Sequence, residues 1–391
     1  MGRERKVRIA GFSEARIPSA VLGVDAVFEA LEAAGICEYR ACSSVDPDPH
    51  DLAWADAVML VRGASPSEYR LMNEARRLGR RVATYMDDDL ESVPGEARSG
   101  YFFTSATVRR LLGEILREAD LVCTTREQLS AVLARRHRIQ PRLLRQPRPT
   151  PLLARAEAKS APAPSSARVR IGFLGSVDHA TFLEELMRLP LTSLAHDFGD
   201  SIEFVFCGAV PGFARELNAT AIPWQQDFAD WRSCAADLQL DIGLAPLPVS
   251  PFHACKYWNK YLEYASLGIV GIYSAGSPNA DAVRDGETGL VVPNHALAWS
   301  SALRRLIEDE DLRRRIREQA SQDIEDRFSP AALGAAWQET LRPLLEHRAP
   351  AARASDVQLP RGTLRHLQDR VAIYGPARAA ERAFHRFVLR R

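Results

Sequence analysis

Short apolar runs alternate with amphipathic stretches along most of the 391-residue chain. Runs such as 6–12, 57–62 and 81–86 are typical of strands that are covered on both faces. Stretches such as 67–79 and 104–119 place apolar residues at the spacing of helices. Strands that alternate with helices form βαβ units, so the pattern predicts an α/β protein built on doubly wound parallel sheets.

Two such series occur, separated by a stretch rich in proline, alanine and serine. The chain is too long for one ordinary hydrophobic core, so we expect two domains. The pattern places them at 1–146 and 168–330, with 147–167 as the linker. Helical segments follow at 331–347 and in an Arg-rich tail at 348–391.

Composition narrows the class of protein. The formal net charge is +1, which argues against a dedicated nucleic-acid-binding protein. The six cysteines form no C-x-x-C pair, so neither a zinc site nor a disulfide framework is indicated. The N-terminal residues do not have the pattern of a signal peptide, and no apolar run reaches the length of a membrane span. We therefore expect a cytoplasmic protein; the sequence carries no signal for its oligomeric state.

The stretch 255–274 is the strongest candidate for a binding site. We expect an amphipathic helix that ends at Gly268, followed by a buried strand. Lys256, Lys260 and Glu263 are spaced by four and three residues, so on one helix they would share a stripe. Amines can meet the phosphates of a nucleotide diphosphate, and a carboxylate can accept its ribose hydroxyls. A solvated helix face with internal charge pairs explains the same spacing.

The residues after this stretch add a second signal. Five segments follow one another here: NKYLEYASLG, a predicted strand, VRDGETGLVV, a predicted helix with Trp299, and DLRRRI. This pattern resembles the C-terminal half of the retaining, group 1 glycosyltransferases of the GT-B fold. It is most similar to the bacterial surface-polysaccharide members. The resemblance is good over about 168–328 and weaker over the residues before 168.

The resemblance implies a fold and an activity. The fold is two Rossmann-like domains that face each other across a cleft, with the helix over 331–347 returning to the first domain. The activity is transfer of a sugar from a nucleotide-diphosphate donor to a hydroxyl of a saccharide, lipid-linked or natural-product acceptor, with retention at the anomeric carbon. No metal or other cofactor is implied.

The resemblance also assigns residues in the second domain. Glu263 corresponds to the ribose-binding carboxylate. Asn259 and Lys260 match the NK-x-x-EY form that precedes it, and Lys256 matches a further lysine of the polysaccharide branch. Cys255 stands where the family has the first glutamate of its pair, and a thiol cannot do a carboxylate's work on the donor sugar.

The loop after the predicted strand 169–175 is a further candidate. Gly175 allows close approach of a ligand to the backbone, although no G-x-G-x-x-G fingerprint is present. Ser176 and His179 follow, and a G-S-x-x-H loop recurs at this point in the polysaccharide branch. A lone histidine is equally typical of a helix cap or a hydrogen-bonded surface residue.

Three consecutive acids, Asp87, Asp88 and Asp89, follow the predicted strand 81–86, where ligands of such sheets lie. They would be able to line the cleft, cap the next element, or bind a metal. The polysaccharide enzymes often carry a DDDL-like stretch here and need no metal. One of these carboxylates could position the acceptor hydroxyl, and Asp88 or Asp89 could deprotonate it.

Other functions remain open at this stage. Cys255 motivates a non-catalytic nucleotide- or glycan-binding protein on the same fold, and a sugar-nucleotide epimerase shares the fold. The basic tail predicts two helical stretches, near 364–375 and 377–391, that would either lie on the inner face of an anionic membrane or pack on their own domain.

Overall fold

The computed structural model describes residues 5–95, 100–149, 168–225, 228–360 and 363–375. The chain divides into two compact units. The first unit combines Met1–Gln146 with Leu333–Arg391, and the second unit is Pro147–Ala332. Most of the predicted linker lies outside the described residues.

The first unit is built on one parallel six-stranded sheet with the order β2-β1-β3-β4-β5-β6. Its strands lie close to the predicted ones. They are β1 Val7–Ser13, β2 Cys37–Ser43, β3 Ala57–Val61, β4 Arg81–Met86, β5 Leu121–Thr124 and β6 Arg142–Leu143. The strand order reverses between β1 and β3, which is where sheets of this kind bind ligands.

Helices cover both faces of this sheet. They are α1 Pro18–Ala20, α2 Ala26–Ala33, α3 Pro49–Trp54, α4 Pro66–Arg77, α5 Gly100–Phe103, α6 Ala106–Glu118 and α7 Glu127–His137. A π-helical turn over Val21–Asp25 joins α1 to α2. The side chains of β1 alternate between two cores, with Ile9 on one face and Phe12 on the other. This alternation follows from the period of two along a strand.

The second unit has a parallel sheet with the order β12-β11-β10-β7-β8-β9. Its strands are β7 Val169–Gly175, β8 Ile202–Gly208, β9 Thr220–Ile222, β10 Ile242–Ala245, β11 Val270–Ser274 and β12 Leu290–Val292. The order reverses between β7 and β10, so the expected ligand position lies beyond the carboxyl ends of these two strands.

The helices of the second unit again lie on both faces of its sheet. They are α8 Ala180–Phe198, α9 Phe228–Asp237, α10 Pro251–Ala254, α11 Asn259–Ser266, α12 Pro278–Ala282, α13 Ala296–Glu308 and α14 Glu310–Phe328. The next helix, α15 Pro330–Leu345, places Trp337 and Leu341 in the core of the first unit. There the indole Nε1 of Trp337 donates to the carbonyl of Arg145 at 2.9 Å.

The prediction of one continuous helix from Cys255 to Gly268 is wrong at its start. The chain forms the short α10, leaves the helical path, and begins α11 only at Asn259. Tyr257 and Trp258 are buried with ring centroids 4.7 Å apart, and Trp258 has non-helical backbone angles. Burial of these two aromatic rings therefore overrides the helical periodicity.

The tail contains one described α-helix, α16 Thr363–Tyr374, which corresponds to the first predicted helical stretch. It packs on the first unit: Ser105 donates to the carbonyl of Ile373 at 2.8 Å, and Arg70 forms an ion pair with Asp369. The second stretch, 377–391, lies outside the described residues. Within the described part of the chain, no helix is both long and apolar enough to cross a bilayer.

Candidate functional site

The segment with the strongest sequence signal lies at the position where the second sheet reverses its strand order. The hydroxyl of Tyr264 in α11 donates to the carbonyl of Leu244 in β10 at 2.6 Å. The ring of Tyr264 lies against Gly243, where an added Cβ would come within 2.6 Å of it. The glycine in β10 and the tyrosine in α11 therefore allow the helix to pack closely on this strand.

Helix α11 ends as the sequence predicts. Gly268 has a φ of +67°, which a residue with a Cβ adopts only with strain. Its N–H donates to the carbonyl of Ala265 at 3.2 Å, and the N–H of Ile269 donates to the carbonyl of Tyr264 at 2.9 Å. This pair of bonds is a Schellman motif, which satisfies the last carbonyls of the helix and turns the chain into β11.

Lys260 and Glu263 lie on one face of α11 and contact each other. The Nζ atom of Lys260 is 2.6 Å from Oε2 of Glu263. The two side chains are 20% and 17% exposed, so both are shielded yet still reach solvent. The predicted i,i+3 pair is therefore present, and it lies beside the Phe173 ring of β7 rather than on a fully solvated surface.

Trp231 is a third member of this cluster, and sequence reasoning missed it. It lies on α9 and donates from its indole Nε1 to Oε1 of Glu263 at 3.2 Å. Its ring lies 4.9 Å, centroid to centroid, from that of Trp224. A tryptophan 32 residues before the glutamate carries no spacing signal, and only the packing of α9 beside α11 brings the two together.

The ring of Phe173, near the end of β7, connects three more predicted residues. An added Cβ on Gly175 would come within 2.6 Å of this ring, so close packing alone requires a glycine there. The ring of His179 lies 5.4 Å from it, and the Nζ of Lys260 lies 5.7 Å from its centroid. Gly175, His179 and Lys260 therefore surround one buried ring.

The remaining predicted residues lie at the edges of this cluster. Ser176 follows β7, and its hydroxyl is 3.4 Å from Asp178. Asn259 is exposed at the first position of α11. Lys256 precedes the helix, so it does not share the stripe of Lys260 and Glu263; its Nζ lies 4.5 Å from the ring centroid of Phe252. Cys255 is buried.

Side-chain hydrogen bonds also fix the loops that follow β10, β11 and β12. The hydroxyl of Ser274 accepts from the backbone N–H of Leu247 at 2.8 Å and donates to Asn294 at 2.6 Å. The amide of Asn294 in turn donates to the carbonyl of Leu247 at 2.9 Å. These three bonds hold the carboxyl ends of neighbouring strands in one arrangement.

The aspartate run of the first unit lies at the carboxyl end of β4, as predicted. Arg62, directly after β3, donates to Asp87 at 2.5 Å and to Asp88 at 2.7 Å. Arg62 has a φ of +55°, which is unusual for a residue other than glycine. Sequence reasoning did not identify this residue as the partner of two carboxylates.

Asp89 belongs to a second ion-pair group. Arg136 of α7 contacts Asp89 at 2.6 Å and Glu91 at 2.8 Å, and Nε2 of His137 lies 2.7 Å from Glu91. Burial alone would raise the pKa of Glu91, but hydrogen bonds from His137 and Arg136 outweigh it and hold that pKa below its ordinary value. Each aspartate of the run thus has an arginine partner.

Metal binding was one of the three interpretations of the aspartate run. Among the described residues, no group of three or more His, Cys, Asp or Glu side chains is arranged to hold a metal ion. Each carboxylate of the run contacts a guanidinium group instead. The general-base role of Asp88 or Asp89 stays a prediction.

The fold defines the class of this protein. Two parallel six-stranded sheets with helices on both faces form two Rossmann-like units, and the chain has the GT-B fold of glycosyltransferases. Residues 260–323 match the family model of the group 1 glycosyl transferases. Lys260 and Glu263 lie inside this match. The predicted family resemblance is confirmed, whereas the retaining branch stays a prediction.

Solved structures support the same fold over most of the chain. Sucrose-phosphate synthase from Thermosynechococcus elongatus shares 17% identity over 87% of this chain and 99% of its own, with a TM-score of 0.60. A glycosyltransferase from Rickettsia africae shares 13% identity over 88% of this chain and 100% of its own, with a TM-score of 0.57. Anabaena HepE in complex with UDP-glucose shares 12% identity over 86% of this chain and 99% of its own, with a TM-score of 0.55. No curated protein sequence matches the chain.

Proposed function

We propose that this protein transfers a sugar from a nucleotide-diphosphate donor to a hydroxyl acceptor. The acceptor is a saccharide, a lipid-linked molecule or a natural product, and the anomeric configuration is retained. The reaction needs no metal and takes place in the cytoplasm, where the basic tail contacts the inner face of the membrane. The group 1 glycosyl transferase match over 260–323 supports the transferase class.

One observation supports the proposal: Glu263 lies on α11, which contacts β10 beside the strand-order reversal of the second sheet, and the Nζ of Lys260 is 2.6 Å from its carboxylate. Parallel α/β sheets bind nucleotides at this position. The carboxylate is part-exposed and accepts hydrogen bonds, so it can take the vicinal hydroxyls of a ribose.

The donor diphosphate needs cations and N–H groups close to that ribose position. Lys260 supplies an ammonium group, and Lys256 supplies a second one from the segment before α11. Ser176 and His179 precede the 19-residue helix α8, whose N-terminal N–H groups favour anions. These groups would stabilise the negative charge that develops on the departing nucleoside diphosphate.

UDP is the first nucleotide to test. Anabaena HepE has been solved with UDP and with UDP-glucose, and an alpha-glucosyltransferase of the same fold has been solved with UDP. These similarities lie at 11 to 13% identity, so they support a choice of probe rather than a donor base for this chain.

Asp87, Asp88 and Asp89 remain the acceptor side of the proposal. Asp88 and Asp89 each contact an arginine, Arg62 and Arg136 respectively. In this role the arginines orient the carboxylates, and one carboxylate oxygen accepts the proton of the attacking hydroxyl.

Cys255 favours a second candidate function. It is 1% exposed and stands where the family resemblance places a glutamate that contacts the donor sugar. A protein without that contact could hold a nucleotide or a glycan without transferring sugar. Turnover separates the two functions, because only a transferase releases nucleoside diphosphate.

The test has two stages. A thermal-shift screen of UDP, GDP and ADP identifies the nucleotide, because a ligand that binds only the native state raises the melting temperature. The matching sugar nucleotides are then incubated with the protein and a mixture of glycan and lipid-linked acceptors, and released nucleoside diphosphate is measured. Release that depends on protein and acceptor supports the transferase; nucleotide binding without release under every condition contradicts it and favours the binding protein.

A further inference from the structure

We propose that Trp231 is a positioning residue for nucleotide recognition. Its indole N–H fixes the plane of the Glu263 carboxylate so that both oxygens of this group accept the two hydroxyls of a ribose. The inference rests on the proposed function, because it gives a role to the same carboxylate. It adds a residue outside the 260–323 segment that carries the family match.

The two donors form hydrogen bonds with different oxygens of one carboxylate. Trp231 Nε1 donates to Oε1 at 3.2 Å, and Lys260 Nζ donates to Oε2 at 2.6 Å. The terminal torsion of a glutamate is broad when nothing holds it. A donor on each oxygen removes this freedom, because rotation of the carboxylate would break both bonds.

This arrangement leaves hydrogen-bonding capacity for two hydroxyls. A carboxylate has about four acceptor positions, two on each oxygen. Trp231 takes one position on Oε1 and Lys260 takes one on Oε2. One position remains on each oxygen, and the vicinal 2′- and 3′-hydroxyls of a ribose match this pair in number and spacing. The side chain of Glu263 is 17% exposed, so part of it reaches solvent.

Trp231 is the more rigid of the two donors. It is 5% exposed and belongs to the same buried cluster as Tyr261 and Leu262, and the ring of Trp224 lies beside it at an interplanar angle of 39°. Lys260 has a long flexible stem and is 20% exposed. A rigid donor on α9 fixes the carboxylate from outside α11, which a lysine on the same helix cannot do.

A purely structural role would give the same hydrogen bond. A buried indole N–H usually needs an acceptor, and Glu263 satisfies that need for Trp231. The two roles differ in their effect on ligand affinity. A structural contact changes stability alone, whereas a positioning contact changes discrimination between nucleotides with and without ribose hydroxyls.

The experiment measures this discrimination by calorimetry on the full chain. UDP, GDP and ADP are each compared with their 2′,3′-dideoxy forms, in the wild type and in Trp231→Phe, which keeps a large buried ring but removes the N–H. Trp337→Phe is the matched control, because it removes an indole–carbonyl hydrogen bond of 2.9 Å in the first unit. Melting temperatures of all three proteins are recorded alongside.

We expect Trp231→Phe to weaken binding of the preferred ribonucleotide about tenfold, the effect of one lost charge-assisted hydrogen bond. Binding of its dideoxy form should change less than twofold, so the preference for ribose falls about tenfold. In steady-state assays the KM for the sugar nucleotide should rise while kcat stays within about twofold, as for lost ground-state binding. Trp337→Phe should lower the melting temperature without changing either affinity.

Two results would overturn the inference in distinguishable ways. If the wild type prefers ribonucleotides and Trp231→Phe keeps the full preference, Trp231 does not position Glu263, and the proposed function stands. If the wild type binds no nucleoside diphosphate, or binds ribose and dideoxyribose forms equally, the donor assignment of Glu263 is wrong and the role of Trp231 is wrong with it.

Discussion

The two units present acidic side chains at the same kind of place but hold them differently. In the first unit, Asp87 and Asp89 lie beyond β4 with side chains 5% and 2% exposed, and each is paired with an arginine from another element. In the second unit, Glu263 is 17% exposed, and its partners are one indole N–H and one ammonium group.

The contrast shows how partners decide what a carboxylate can do. Guanidinium groups supply several donors in a fixed fork, and Arg62 alone spans Asp87 and Asp88. An indole supplies one donor and an ammonium a single point charge, so Glu263 keeps acceptor capacity. We therefore assign recognition of the donor nucleotide to the acid of the second unit, whereas the acids of the first unit stabilise that unit through their ion pairs in addition to the acceptor role proposed above.

The largest expected effect is loss of stability when Arg62 is removed. Arg62→Ala leaves two shielded carboxylates without their shared cation and should cost about 3 kcal/mol in the free energy of unfolding of the first unit. Arg62→Gly loses the same ion pairs but relieves the backbone at φ +55°, so it should cost about 1 kcal/mol less. Urea unfolding curves measure both.

The comparison variant is Glu263→Ala, which should cost about 1 to 2 kcal/mol in the free energy of unfolding, less than Arg62→Ala, because it removes one carboxylate and leaves the indole N–H of Trp231 without its acceptor. Equal losses of stability at Arg62 and Glu263 would remove the distinction between a structural and a ligand-binding acid.

A smaller effect is expected from pH. The pKa of Glu91 is lowered in the folded state, so its contribution to stability is present above its ordinary pKa and is lost as the pH falls through the lowered value. Glu91→Gln should therefore cost about 1 kcal/mol at pH 7. This difference from the wild type should shrink as the pH falls below about 4.5 towards 3.

Denaturation curves for both proteins at pH 7, 5, 4 and 3 measure this trend. A stability difference that stays constant over the whole range would mean that ionisation of Glu91 does not contribute to the first unit.

Local physics made much of the fold predictable from the sequence. Short continuous apolar runs predicted strands in both sheets, because a strand that is covered on both faces must be apolar throughout. Gly268 marked the end of α11, because only glycine takes its backbone angle without strain. The i,i+3 pair of Lys260 and Glu263 followed from helix geometry.

The features that sequence reasoning missed depend on tertiary packing. The helical stripe that was to include Lys256 fails because Tyr257 and Trp258 enter the core and interrupt the helix. Trp231 reaches Glu263 across two helices, and Arg62 reaches Asp87 across two strands. No spacing along the chain encodes such contacts, because they arise when separate elements pack on one sheet.

The most direct test of the central claim is calorimetric titration of Glu263→Ala with the nucleoside diphosphate that the wild type prefers. We predict an affinity about 100-fold below that of the wild type, because two hydrogen bonds to a charged acceptor are lost. Asp89→Asn, the matched change in the first unit, should bind within about twofold of the wild type. Equal affinity of Glu263→Ala and the wild type would contradict the account.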